Sequence, residues 1–521
     1  MASWSSSVPP PSGEVPSAVS GGAAVEVEVA AAIDLGSNSF HMIVGRIDEG
    51  RLTIVDKLRE PVRFASGLDA DGNITPEAAE RAIACLQRFG QRLEGMPPTR
   101  VRAVGTNTLR KARNSRNFMT RAQEALGYDV ETISGAEEAR LIYLGVAQTM
   151  PEQGRRLVVD IGGGSTEVII GEGFDIVEAD SLYMGCVSYS ERFFASGITA
   201  RAFRDAQLSA ELELQSIAAN YRRLGWDREV GCSGTIHAVH DIVLQNGWSE
   251  GGITPRSLKK LRKALIAGGS WEALAIDGLQ PDRKPVIAGG VAILEALHLD
   301  LRVENMSPSP GALREGVLYD LIGRINHEDV RDRTIRWMQE RYQVDMEHAA
   351  RVEETATTLL GQVTRTWVDL DEAWASQMLS WAARLHEIGL AISHTGYQKH
   401  GAYLIRNAHL AGFSRDEQRM VAALVACQRR KLKPEYFDNV PPRLLDPVRR
   451  LALIFRLAVR LNRGRDASRP PVVVKVKKNR VRVHFPDGWL EEHPLTQAAL
   501  ADDSRHVAAF GYELSLHEAS A

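Results

Sequence analysis

Cysteine is scarce. The 521-residue chain holds four, Cys85, Cys186, Cys232 and Cys427, far apart and without a CxxC pair. That argues against a disulfide framework or a cysteine zinc site, and fits a reducing, cytoplasmic setting. Long apolar runs free of charge are also missing, so no stretch reads as a membrane-spanning helix. The opening segment "MASWSSSVPPPSGEVPSAVSGG" has no basic residues ahead of an apolar run. It reads as a disordered tail over residues 1–28 rather than a signal peptide. No amphipathic anchor is evident, although peripheral membrane association is left open. A GxxxxGKS/T loop is lacking too, which argues against a nucleotide P-loop.

What is there is ordinary for a soluble globular protein: 44% hydrophobic and 25% charged residues. The length suits about three to four domains. The net charge is −3, but its distribution is uneven. Residues 421–490 carry seventeen Lys and Arg against five Asp and Glu. A basic segment on an otherwise acidic chain points to a polyanionic partner. The plainer reading is a solvated surface.

Strand and helix patterns alternate to about residue 320, which indicates an α/β fold. A hairpin is expected over 29–56, helices over 76–95, 107–126 and 135–147, and a second hairpin over 156–180. Beyond about 325 the character changes, and residues 330–465 read as almost entirely helical. "PPVVVKVKKNRVRVHF" (470–485) reads as an antiparallel hairpin in a small α+β appendage. "AAIDLGSNSFHMIVG" and "LVVDIGGGSTEVIIG" share strand, Asp, small polar turn and strand. This weak repeat implies two similar lobes with a cleft between them.

In the second copy, Gly162–Ser165 is a turn signal between two apolar strands. A hairpin symmetric about Gly163–Gly164 sets Asp160 opposite Glu167. Paired residues there lie roughly 4.5–5.5 Å apart, and like charges destabilise. A bound cation would make that pair favourable. Glycines also let backbone N–H groups approach an anion closely. Ser37 and Asn38 in the first turn, and Ser165 and Thr166 in the second, add side-chain donors.

Seven segments in order, "AAIDLGSNSFHMIVGRI", "VGTNTLRKARN", "ISGAEEARLIYLGV", "VVDIGGGSTEVIIG", "YMGCVSYSERF", "GCSGTIHAV" and "SPGALREGVL", resemble the exopolyphosphatase / guanosine pentaphosphate phosphatase family. The resemblance covers roughly residues 30–320 and extends more loosely over 325–521. It implies actin-like (ribonuclease H-like) lobes over 29–145 and 146–322. A helical HD-like domain is expected over 323–466 and a small α+β domain over 467–521. It further implies Mg²⁺-dependent hydrolysis of a terminal phosphoanhydride bond, with K⁺ a further candidate cation, and a homodimer.

The resemblance also assigns residues. Glu138 matches the family's catalytic glutamate, the base or orienter of the attacking water. Its neighbour Glu137 has a structural task instead, because Ser134 three residues earlier completes a capping-box pattern. Asp160 and Glu167 match the magnesium-site carboxylates. Gly162, Gly163, Gly164 and Ser165 supply donors to phosphate, and Ser37 and Asn38 do so from the first turn. Arg110, at the start of a helix, matches an arginine that gathers phosphoryl oxygens. Cys186 matches a contact to the site, its thiol read as a buried apolar group rather than a nucleophile. "GCSGT" (231–235) resembles an adenosine-contacting segment of ATP-using relatives, or is only a strand-to-helix turn.

In the helical half, "RLHEIG" (384–389), with His348 before it and Asn462 after it, resembles an HD-type metal phosphohydrolase. Glu387, Gln428 and Asn462 stand where stronger ligands would be needed. An architectural role is therefore expected, with His386 a hydrogen-bonded core or interface residue. The basic residues Arg429, Arg430, Lys431, Lys433, Arg456, Arg460 and Arg463 are expected to line a channel for a polyphosphate chain. On these grounds exopolyphosphatase comes first, acting on inorganic polyphosphate. The alternatives are a guanosine pentaphosphate phosphohydrolase, which would handle guanosine penta- or tetraphosphate, and a non-hydrolytic alarmone-binding regulator. No nucleic-acid partner is expected. An ATP-dependent kinase is disfavoured because no acceptor-site signature is seen.

Overall fold

A computed structural model of the chain describes residues 28–518 apart from 49–50, 151, 153, 326–328, 365, 368–370, 466–471 and 509. The tail expected over 1–28 lies outside the described residues except at Glu28, which opens the first strand.

The first lobe is a five-stranded sheet of β1 (Glu28–Leu35), β2 (Phe40–Asp48), β3 (Arg51–Glu60), β4 (Val101–Gly105) and β5 (Val130–Thr132), in the order β3-β2-β1-β4-β5. The second holds β6 (Arg155–Ile161), β7 (Thr166–Glu172), β8 (Asp175–Leu182), β9 (Arg228–Cys232) and β10 (Ser307–Pro308), in the order β10-β9-β6-β7-β8. In both sheets the first strand pairs antiparallel with the next and parallel with the fourth. The weak sequence repeat is thus a repeat of topology. The central strands read as unbroken apolar runs because both of their faces are covered. Ala30, Ala31, Ala32 and Ile33 of β1 and Leu157, Val158 and Val159 of β6 are fully buried.

Two helices, Gly135–Thr149 and Leu313–Ile325, share one apolar core with residues from both sheets. Glycine lets them touch backbone to backbone. A Cβ on Gly316 would lie 1.7 Å from the carbonyl oxygen of Leu141, and one on Gly145 would lie 2.1 Å from that of Ala312.

The single helix expected over 107–126 is two, Asn107–Lys111 and Ser115–Leu126. The break has a tertiary cause. Asn114 exchanges two hydrogen bonds with the backbone of Ile74, and the Arg113 N–H donates to Gly72. The capping box at Ser134 forms by half. Ser134 Oγ accepts the Glu137 N–H, but the Glu137 carboxylate turns to Arg140 and to the N–H of Gly412, 2.9 Å away.

The rest of the chain is helical, with Met346–Val363, Glu372–Leu385, Tyr397–Asn407, Arg415–Cys427 and Leu445–Leu461 among its elements. It ends in a sheet of β11 (Val473–Lys477), β12 (Arg480–Phe485) and β13 (Glu513–Glu518), ordered β11-β12-β13. Val474, Val481, Val483 and Phe485 of that sheet join Trp381 and Phe455 in a common core. Helices followed by a small sheet are as expected; the HD-type likeness rests on the sequence motif alone.

Two residues of the expected basic channel must be reassigned. Arg456 is 1% exposed and bonds Asp503 and the carbonyls of Cys427 and Arg430. Arg460 also grips Asp503, itself buried. A guanidinium held this way is a core clamp and faces no chain of phosphates. Arg463 lies beyond the end of the Leu445–Leu461 helix. Lys433 pairs with Glu435, and Arg429 lies over the ring of Tyr397. Arg430 and Lys431 are exposed.

Candidate functional site

The site is built on two turns that the repeat places face to face. In lobe II the Gly162 N–H donates to Ser165 O at 2.9 Å and closes the bend between β6 and β7. The strands pair Asp160 directly with Glu167. In lobe I the equivalent register pairs Asp34 with His41, whose Nδ1 is 3.5 Å from the Asp34 carboxylate. The lobe I pair thus joins an acid to an imidazole, whereas the lobe II pair is two acids. The turns are in contact: a Cβ on Gly163 would fall 2.8 Å from the Cβ of Ser37. Glycine is required there by close approach.

The short Asn107–Lys111 helix fastens both turns. Asn107 Nδ2 donates to Gly164 O at 3.2 Å, and Thr108 Oγ1 donates to Ser37 Oγ at 2.9 Å. One turn later, Arg110 Nη1 donates to Glu138 Oε2 at 2.6 Å and to the carbonyl of Ile133 at 3.1 Å. Arg110 is therefore paired with the carboxylate assigned to orient water, rather than free for a phosphoryl group. Glu167 Oε1 accepts the hydroxyl of Ser181 at 2.8 Å.

Burial and mutual repulsion dominate the electrostatics. Burial raises Asp160 to about 7, and the charges of Glu138 and Asp34 push the same way. Glu167 is raised well above the usual carboxylate range by burial, then by Glu138 and Asp160. Burial also raises Glu138, against the pull of Arg110. The Cys186 thiol is pushed up by burial, as befits a small apolar group.

A cavity of about 280 Å³ opens between the turns. Ser37, Asn38, Glu138, Asp160, Gly162, Gly163, Ser165 and Cys186 reach its wall. Arg110, Gly164 and Glu167 do not reach its wall, Glu167 being 1% exposed. The cavity also takes Gly234 of the "GCSGT" segment, and Asp34, Arg59, Arg283 and Arg314, to which the sequence reading assigned no site role. Asp34 had a signal in the repeat itself, and Arg314 lay inside the quoted "SPGALREGVL". Arg283 had none: its place follows from Gly234, where a Cβ would sit 2.0 Å from its Nη2. "GCSGT" makes the turn from β9 into the helix Ser233–Gln245, and it also forms part of the wall.

A divalent cation bound here would meet carboxylates. Asp34 Oδ1 is buried without a hydrogen-bond partner, close to acids that burial keeps from ionising alone. An all-oxygen set of carboxylates fits a hard ion such as Mg²⁺.

The profile of the Ppx/GppA phosphatase family matches residues 43–325, and that of Ppx/GppA phosphatase, domain III, matches residues 330–504. A guanosine-5'-triphosphate,3'-diphosphate pyrophosphatase of Aeromonas hydrophila is 39% identical over 491 residues, 94% of this chain and 99% of its own. That of Vibrio atlanticus is 40% identical over 492 residues, 93% of this chain and 97% of its own. Among solved structures, an exopolyphosphatase from Cytophaga hutchinsonii is similar at 27% identity and a TM-score of 0.52. That match covers 57% of this chain and 98% of the other. Among the described residues, no helix is long and apolar enough to cross a membrane.

Proposed function

The chain belongs to the Ppx/GppA phosphatase family, and from that premise we propose that it hydrolyses the 5'-terminal phosphoanhydride bond of guanosine 5'-triphosphate 3'-diphosphate. The observation that carries this reading is similarity at 39% and 40% identity, over nearly the whole chain, to two proteins named for that substrate. The exopolyphosphatase reading, placed first on the sequence, gives way. Its main support was a basic track, and two members of that track, Arg456 and Arg460, are committed to Asp503. The cavity instead brings Arg59, Arg283 and Arg314 to one cleft, which suits a compact ligand with several phosphates.

Asp160 and Glu167, with Asp34 nearby, would hold Mg²⁺, which when bound neutralises charge on the phosphate oxygens. The amides and hydroxyls of the two turns orient the terminal phosphoryl group. Glu138 accepts a proton as a water oxygen attacks the terminal phosphorus. The bond from that phosphorus to the bridging oxygen breaks, releasing orthophosphate and guanosine tetraphosphate. Burial suits Glu138 to this work, since a carboxylate raised towards neutrality is a better base. Arg110 fixes the carboxylate in place through their 2.6 Å ion pair.

The test follows phosphate release, with Mg²⁺ present, from guanosine pentaphosphate, long-chain polyphosphate and ATP in parallel. The pentaphosphate is expected to have the highest kcat/KM, and preference for polyphosphate would reverse the assignment. Glu138→Gln is expected to lower kcat about 10²- to 10⁴-fold with little change in binding. Undiminished turnover in that variant would remove the proposed mechanism.

A further inference from the structure

Outside the cleft, His348, His386 and Glu387 offer ligand atoms that all lie within 4.8 Å of one another, and all three are buried. His386 follows the Glu372–Leu385 helix, and its Nδ1 is 2.7 Å from the carbonyl oxygen of Ala383. A carbonyl only accepts, so the ring proton is on Nδ1 and Nε2 carries a lone pair. That Nε2 has no hydrogen-bond partner, and neither has Nδ1 of His348. His386 is 1% exposed and His348 is 4% exposed. Two orphaned ring nitrogens beside one buried carboxylate call for an explanation, because buried polar atoms are nearly always satisfied. A cation would satisfy all three groups at once. A histidine whose far nitrogen donates to a backbone carbonyl is also oriented as metal-binding histidines usually are.

Glu387 has a second suitor. Both of its oxygens accept from Arg465 Nη2, at 2.6 and 2.8 Å, and Arg465 Nη1 donates to Asp345 at 2.8 Å. The Arg465 side chain is 44% exposed, so it leans in from the surface. We propose that His348, His386 and Glu387 form a second metal site for a borderline divalent ion such as Zn²⁺ or Co²⁺, with Arg465 competing for the carboxylate. Two imidazoles and one carboxylate suit such an ion, unlike the all-oxygen set of the cleft. The sequence reading gave His386 an architectural part because anionic ligands were lacking. That deficit disfavours a hard ion, whereas a borderline ion prefers imidazole.

The experiment titrates Co²⁺ into full-length protein stripped with EDTA. A background of Asp160→Asn and Glu167→Gln weakens cobalt binding in the cleft. One equivalent is expected to bind with visible absorption bands. His386→Ala and Glu387→Gln should each abolish those bands, while Arg465→Ala should tighten binding. Circular dichroism checks folding, and should His386→Ala not fold, Glu387→Gln decides. Bands unchanged by a folded His386→Ala or by Glu387→Gln would overturn the proposal. So would their failure to appear in both the parent and Arg465→Ala proteins.

Discussion

Asp160 is a single acid with two opposed demands on it. Burial and two neighbouring carboxylates hold its proton on to about pH 7, against an ordinary value of 3.8. A folded-state value above the unfolded one means that the native protein binds more protons in between. Its stabilising contribution is therefore present below about pH 4 and is lost as pH rises to about 7. Thermal unfolding in EDTA checks this: wild-type protein should lose stability relative to Asp160→Asn across that window. Added Mg²⁺ should protect wild type more as pH rises, since the ion requires the ionised form. The opposition of Asp160 and Glu167 was legible beforehand, because a turn of three glycines between apolar strands fixes the register. The place of Arg283 in the same cavity as Asp160 was not, since it follows from a space left by Gly234, far away in the chain.

Strands and helices with strong periodicity could be read locally, and the two lobes followed from a repeated strand-turn-strand pattern. The split at Ala112–Asn114 could not, because its cause is a pair of hydrogen bonds to Ile74, forty residues upstream. The crossing of Gly135–Thr149 with Leu313–Ile325 was equally hidden: Gly145 and Gly316 matter only once the helices meet. Gly316→Ala should cost about 3 kcal/mol, the upper part of the overpacking range, because backbone rather than a flexible side chain blocks the methyl. Urea unfolding measures the loss. The same variant should lower kcat, since the helix pushed aside carries Glu138. A stable Gly316→Ala protein with normal turnover would show that the close contact is dispensable.

Across the molecule, buried charge ties the parts together. Asp320 accepts from Arg102 at 2.6 Å, from Arg140 at 2.5 Å and from Arg324 at 2.9 Å. These guanidinium groups hold its carboxyl far below the usual carboxylate range, burial notwithstanding. Asp320→Asn would leave three cations facing a neutral amide and should cost about 3–5 kcal/mol, read by urea unfolding at neutral pH. The net charge of a segment gave poor guidance at this level: the basic stretch 421–490 looked like a track for polyanions until Asp503 was seen to hold two of its arginines. Arg324 also donates to the carbonyl of Gly412, whose own N–H is taken by Glu137. A chain trimmed after Ile325 would keep both lobes, yet strip one backbone partner from the acid next in sequence to Glu138. If Glu138 acts as proposed, a chain lacking residues beyond 325 should show a lower rate of phosphate release than the full-length protein, and an equal rate would show that the Glu137–Gly412 bond is dispensable.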